Sequence, residues 1–466
     1  MSDWRLHTPK GVSDILPEEC SRKKEVENTL WTVFASMGYR EVETPSFEYY
    51  DVFAAGGGQI SQENMFKFFD EKGRILTLRP DITTSIARMS ATKEVGGNLP
   101  LRFCYTGSVF RAEETEGARL REFTQSGIEL IGSDTPMADA EVISAAIEAA
   151  LALGLEEFHM EIGQVAFFAG LAEQADLSKE DAELLLQRID CKDSLGISEL
   201  LKKFPIDENI KKLIMDMPYL FGGPEVIEKA DIPELNPVSK AALENIKTIY
   251  SLLCGYGFEE YISIDLGMLQ SIDYYTGSIF KCFARGAAFP ICAGGRYDNL
   301  ISRFGQNLSA VGVAFGVNRL MNAMRTAGVL PDGEYPSSTL IFTEDDAAAN
   351  AYSLAYNLRV NGCIVQMYLD DGDYRDAEQF ANDEKIDCMI RVFRDGKVLI
   401  KDFERDEIIE TTLEEFIGYS GGEDDECGCG HDHSHEHECG CGHEHNHGHS
   451  HEHGCGCGHD HGHHND

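Results

Sequence analysis

Two sets of residues in this chain place chemistry-bearing groups at informative spacing. The denser set lies at the C-terminal end, where CGCGH occurs three times, starting at Cys427, Cys439 and Cys455. It supplies six thiols, those of Cys427, Cys429, Cys439, Cys441, Cys455 and Cys457. It also supplies 14 imidazoles, those of His431, His433, His435 and His437, of His443, His445, His447, His449, His451 and His453, and of His459, His461, His463 and His464. Thiolate and imidazole are good ligands for zinc, nickel and copper. The spacing is C-x-C, one residue tighter than the shortest pairing of a folded zinc knuckle. It therefore predicts a flexible, multi-site chelator, not one preformed centre. An inert solubilising tail or an expression tag is the bland alternative, although a tag normally carries a contiguous histidine run. Storage, buffering and metal sensing all fit this composition.

The second set is four strings in the body of the chain. LRPDITT holds Arg79, Asp81 and Thr83, and VFRAEETEGARLREFTQSGIELIG holds Arg111, Glu113, Arg119, Arg121, Gln125 and Glu129. IDYYTGSIF holds Tyr274 and Tyr275. The fourth runs from AGGRYDNL, with Gly294 and Gly295, to VGVAFGVNRL, with Gly312, Gly316 and Arg319. An arginine can grip a phosphate through a bidentate fork. Taken alone, each string also has a plain reading: a lone strand arginine is usually a salt-bridged surface residue, and a tyrosine pair in a strand is usually packing.

The elements that must position these residues are partly legible. Pro17 suits a helix's first turn, Val26, Leu30, Val33, Phe34 and Met37 recur at helical spacing, and Gly38 suits the stop. Pro136 and Asp139 open another helix, with Val142, Ala146, Ile147, Ala150 and Leu151 on one face and Gly154 after it. Residues 171–243 read as almost wholly helical. The apolar stretches LRFCYTGSVF, REFTQSGIELIG, FHMEIG, YISIDLG and SAVGVAFG flank that block as strands. Strands on both sides of a helical block predict an α+β fold, an antiparallel sheet carrying a helical insertion. Pro and Gly cluster around residues 331–338 as in a linker. Beyond it STLIFTE, CIVQMYL and CMIRVF read as strands alternating with two helices, a small α/β domain at 336–418. The tail at 421–466 has 11 acids between Glu423 and Asp466, no Lys or Arg and no large apolar residue. It cannot bury a core and is expected to be disordered.

Composition narrows the function. With 40 Lys and Arg against 80 Asp and Glu, the net charge is -40, which argues against a protein whose main task is gripping nucleic-acid phosphates. Residues 335–418 carry eight basic and 19 acidic side chains, a balance of -11. No window of about 20 uninterrupted apolar residues occurs, so no membrane span is expected. The first residues lack an apolar signal core, which predicts a cytosolic protein. The eight cysteines before the tail then read as buried thiols.

In their order, the four strings resemble histidyl-tRNA synthetases over roughly Thr8 to Met324. The likeness begins with TPKGVSDILPEE and runs through GYREVETPSFE, whose Pro45 is similar to the proline ending that family's dimer-interface motif. It implies a class II aminoacyl-tRNA synthetase-like core over 1–330, with the helical insertion at about 171–243. It assigns Arg111 and Arg319 to the positions of two ATP-binding arginines, and Asp81, Thr83, Gln125, Glu129, Tyr274 and Tyr275 to a histidine pocket. The 336–418 domain resembles an anticodon-binding domain.

Three departures qualify the resemblance. Synthetases read RGLDYY where this chain reads QSIDYY, placing Gln270 where their arginine meets the histidine carboxylate and the α-phosphate. An uncharged amide cannot steady a developing phosphate anion, and losing such a contact commonly costs about 10²–10³ in rate. Glu114 and Glu116 replace a basic loop, and the C-terminal domain is acidic. A core that keeps the pocket and loses the activating arginine resembles the regulatory subunits of ATP phosphoribosyltransferase. That branch implies a non-catalytic protein of histidine biosynthesis that needs no cofactor and no tRNA. Its expected partner is a short catalytic subunit, its expected effector is histidine, and its body is expected to dimerise. An active histidine–tRNA ligase is the alternative, and a metal-handling protein built on a synthetase scaffold is a third.

Overall fold

The computed structural model describes residues 4–54, 61–93, 97–112, 120–269, 274–333, 338–344 and 346–419. The chain divides into two compact units, Met1–Tyr335 and Pro336–Asp466.

The first unit is built on a nine-stranded sheet. Its strands, with a small separate sheet numbered in sequence, are β1 (Arg40–Glu41), β2 (Phe47–Tyr49), β3 (Lys67–Phe69), β4 (Ile75–Leu78), β5 (Leu101–Phe110), β6 (Glu122–Ile131), β7 (Phe158–Gln164), β8 (Phe221–Gly222), β9 (Ile262–Asp265), β10 (Ser278–Ala284), β11 (Cys292–Arg296) and β12 (Ala310–Gly316). The large sheet runs β1-β5-β6-β12-β11-β10-β7-β9-β8, and the small one β2-β4-β3. The expected antiparallel sheet forms, with two parallel joints, β1 to β5 and β7 to β9.

Its two faces differ because the strands alternate with period two. Ile128 and Leu130 of β6, with Val311, Val313 and Phe315 of β12, enter one core. The helix Pro136–Ala152 lies in that core with almost every residue covered, which explains why it is alanine-rich and apolar all round. Thr135 caps it and Pro136 opens it. The helix Pro17–Ser36 contributes Val26, Leu30 and Phe34 to the same core, and Gly38 follows it at φ 84°. On the opposite face the positions between are Gln125, Gly127 and Glu129 on β6, and Gly312, Ala314 and Gly316 on β12. Small residues on β12 leave room there for a cavity.

Several expectations need correction. The helical block starts earlier, at Val165, ends later, at Gly255, and is broken by β8, which joins the sheet beside β9. The tyrosine pair lies in the turn ahead of β10, not in a strand. Among the eight cysteines, Cys104, Cys282 and Cys292 are buried, four are half-buried, and Cys191 is exposed. Cys191 caps the end of the helix Lys179–Asp190, and a helix end faces solvent.

The second unit has a five-stranded sheet of order β14-β13-β15-β16-β17, formed by β13 (Ser338–Thr343), β14 (Ile364–Met367), β15 (Cys388–Val392), β16 (Lys397–Asp402) and β17 (Glu407–Thr412). The first three are parallel and the rest antiparallel, so the unit is mixed. The β16–β17 pair was not read from sequence. Its turn lies at residues 403–406, where the Asp402 carboxylate accepts from Glu404 N and Arg405 N, each at 2.9 Å, and Asp406 takes φ 52°. Residues 334–337 of the expected linker and the tail at 421–466 lie outside the described residues.

Candidate functional site

Asp81 sits just before the helix Thr83–Lys93, and its Oδ1 accepts from Thr84 N at 2.8 Å. Thr83, on the first turn, donates to Glu129 Oε1 at 2.6 Å. Tyr297, just past β11, donates to Glu129 Oε2. These contacts join three segments far apart in sequence. Together with Gln125, Tyr274, Tyr275, Arg111 and Arg319 they line one cavity of about 180 Å³. Drug-sized pockets run about 300–1,000 Å³, so this one suits a small metabolite. All eight described residues assigned by resemblance to the pocket and the ATP-like site thus meet at one place. Gln270 lies outside the described residues, as do Glu113, Glu114, Glu116 and Arg119 of the loop after Arg111.

The sheet makes the room. Gly312 is the register partner of Glu129, and a Cβ there would overlap the Glu129 carboxylate. A Cβ on Gly295 would sit 2.8 Å from the Tyr275 ring. The tyrosines form an aromatic wall: Tyr274 meets Tyr275 edge-on at 4.8 Å and stacks on Tyr297 at 5.9 Å. Arg111 donates to Pro80 O at 3.1 Å and lies over the Phe123 ring, 5.2 Å from its centroid. Arg319 lies over Phe289 at 5.4 Å. Arg79 has a different task. Buried, it donates to Thr44 O at 2.6 Å and Ser108 O at 2.7 Å, tying the loop between β1 and β2 to β5. Arg121 donates its backbone N–H to Gly11 O at 2.7 Å and packs its side chain on Gly11.

Two carboxyls, those of Glu129 and Asp81, set the electrostatics of the pocket. Burial pushes the Glu129 carboxyl up to about 7, the Thr83 and Tyr297 hydroxyls pull it back, and the Asp81 charge raises it further. Asp81 is also raised by burial, offset by its bonds to Thr84 and by the charge of Arg111. Burial holds the phenols of Tyr274 and Tyr297 well above their usual range. A buried and a half-buried carboxyl in an aromatic box can hold a cationic group such as an ammonium. The arginines and Gln125 can meet an anionic or polar end. The Cys292 thiol, which also lines the cavity, is held protonated by burial and is a poor nucleophile.

Sequence reasoning missed Tyr297 and Phe123. Phe123 shares the period-two face of β6 with Gln125 and Glu129, which is a usable signal. Tyr297 lies inside the AGGRYDNL string, but its partner is 168 residues away. Among the described residues no group of three or more His, Cys, Asp or Glu is placed to hold a metal, and no helix is long and apolar enough to cross a membrane. The tail ligands from Cys427 to His464 lie outside the described residues.

Comparisons with known proteins agree with this geometry. The family model described as histidyl-tRNA synthetase matches residues 11–320. An ATP phosphoribosyltransferase regulatory subunit from Acetivibrio thermocellus is 43% identical over 90% of this chain and 100% of its own length. The same-named protein of Ruminiclostridium cellulolyticum is 40% identical over 90% and 99%. A solved ATP phosphoribosyltransferase regulatory subunit/histidyl-tRNA synthetase from Bacillus halodurans aligns with a TM-score of 0.74 at 30% identity, covering 84% of this chain and 99% of that one. A histidyl-tRNA synthetase from Nostoc, at 22% identity and a TM-score of 0.71, shares the fold.

Proposed function

The chain belongs to the histidyl-tRNA synthetase family and, within it, to the ATP phosphoribosyltransferase regulatory subunits, and from that membership we propose how its pocket and surfaces are used. It is a regulatory protein of histidine biosynthesis and not a catalyst in its own right. Its partner is the ATP phosphoribosyltransferase catalytic subunit, here the short form, which joins ATP to phosphoribosyl pyrophosphate in the first step of that pathway. The cavity is the histidine sensor.

One observation carries the sensor reading. Glu129, 1% exposed, and the half-buried Asp81 line one cavity with tyrosines and two arginines. Burying carboxyls without a ligand to meet them is costly, so their retention favours a pocket in use. The test is calorimetry with free histidine on the parent and on Glu129→Ala. Binding by the parent that is weakened at least tenfold in the variant supports the sensor. Equal heats, or none from either, count against it.

Three further proposals complete the reading. The body self-associates as a dimer: Phe47 and Phe68 pack edge to face at 5.8 Å on one face of the small sheet, with Tyr49 on that face, and all three are exposed. A second copy of the chain is the occupant of that apolar surface, and a monomer in sedimentation equilibrium at micromolar concentration would contradict it. The protein acts in the cytoplasm without tRNA, a reading favoured by the -11 balance of residues 335–418; retention of tRNA on the purified protein would contradict it. The tail binds zinc, nickel or copper through its six thiols and 14 imidazoles. Its affinity should weaken as pH falls through about 6.5, where imidazole protonates, and metal binding that ignores pH would sink that reading.

A further inference from the structure

This inference rests on the pocket binding an amino acid, and it concerns a residue behind the pocket wall. Tyr105 stands on β5 opposite Gly127 of β6. It is 2% exposed, and its hydroxyl is buried with no hydrogen bond of ordinary geometry, although it stands close enough to Thr83 and Glu129 to help hold the Glu129 carboxylate when that group is ionised. Buried phenols normally find an acceptor, so this one needs an explanation. The polar groups beside it are the Thr83 hydroxyl and the Glu129 carboxyl, with Asp81 and Tyr275 next. Glu129 already accepts from Thr83, on the helix Thr83–Lys93, and from Tyr297 beyond β11. The other groups facing it are the Asp81 carboxyl and the Tyr274 phenol, while Gly312 of β12 brings no charge. Among the described residues no lysine or arginine is ion-paired with it. Glu129 is therefore poised between two states. Burial and Asp81 favour the protonated carboxyl, whereas the surrounding donors favour the carboxylate.

We propose that Tyr105 is a conditional third donor to Glu129, idle while the carboxyl is protonated and engaged when a bound ammonium group draws it into the ionised form. The carboxyl proton passes to solvent, the Tyr105 O–H turns onto the vacated oxygen, and no other bond is made or broken. Ligand binding is thereby linked to proton release. Tyr105 acts through Glu129, which makes it a positioning residue.

The test is Tyr105→Phe, which removes only the idle hydroxyl. Dissociation constants for histidine are measured by calorimetry for parent and variant at pH 6 and pH 9. Histidine's own titration is common to both proteins and cancels in the ratio. At pH 6 the variant should bind about tenfold more weakly, the size of one charge-assisted hydrogen bond. At pH 9, where Glu129 is already ionised in the empty pocket, the ratio should approach unity. A ratio that does not change with pH, including no loss at either pH, overturns the proposal. Melting temperatures without ligand give an independent arm. The variant should match or exceed the parent at pH 5 and fall below it above pH 8. Parallel melting curves overturn the proposal whether or not histidine binds. Crossing curves in a protein that binds no histidine at any pH would support the Tyr105–Glu129 couple and contradict the sensor.

Discussion

Glu129 links the pocket to the pH dependence of the ligand-free fold. Burial raises its carboxyl from 4.5 to about 7, so between those values the folded protein holds a proton that the unfolded chain has released. Stability from this group is complete below about 4.5 and is lost as pH rises to about 7. At about 1.4 kcal/mol per pH unit the loss is about 3 kcal/mol, and Asp81, also raised, adds to it in the same direction. Glu129→Gln should flatten the profile, and urea midpoints at pH 4.5, 6 and 7.5 check this. A variant as pH-sensitive as the parent would contradict the assignment. Much of this residue-level detail was hidden in the sequence. Gln125 and Glu129 were legible through the resemblance of their string to the synthetase family, and the structure places them on one face of β6. Tyr297 and Tyr105 were not, because what they touch was decided by strand pairing across long separations.

The elements hold the site through a buried ion pair. Arg296, at the end of β11, donates from Nη2 to Asp139 Oδ2 at 2.9 Å and from Nε to Oδ1 at 3.1 Å. Ser278 of β10 donates to the same carboxylate at 2.5 Å. Asp139 lies on the first turn of the helix Pro136–Ala152, so this cluster ties the helix to two strands, and the next residue after Arg296 is Tyr297. Removing one partner strands a buried charge, at a cost of about 3–5 kcal/mol. Asp298, 3.2 Å from Arg296 and half-buried, should hold the loss to about 3 kcal/mol. Asp139→Ala should lower the urea midpoint accordingly at pH 7, and a loss under about 0.5 kcal/mol, the size of an exposed pair, would contradict the role given to it. The main helices and core strands were readable from hydrophobic period and from their prolines and glycines. The parallel joints and the β16–β17 hairpin were not. A two-residue strand such as β1 or β8 carries no period, and β17 is exposed along most of its length, so no apolar face marks it.

At the scale of the whole molecule, the tail and the body have separable tasks. The site residues lie between Asp81 and Arg319, and none belongs to the six thiols or 14 imidazoles from Cys427 onward. Truncation after Gly421 should abolish most zinc or nickel uptake and leave folding and partner activation intact. The intact chain should take up more than one ion if about four ligands serve each. Metal analysis of both forms checks this, and loss of activation on truncation would make the tail part of the regulatory machine. The central claim, that this synthetase-like body regulates and does not catalyse, is tested most directly by reconstitution with the short catalytic subunit. Phosphoribosyl transfer from phosphoribosyl pyrophosphate to ATP is measured with and without this chain, and with and without histidine. The account predicts little activity from the catalytic subunit alone, activation on adding this chain, and inhibition by histidine that Glu129→Ala relieves without removing activation. Full activity in the absence of this chain, or histidine charging of tRNA by this chain alone at about 1 s⁻¹ or faster, would contradict it.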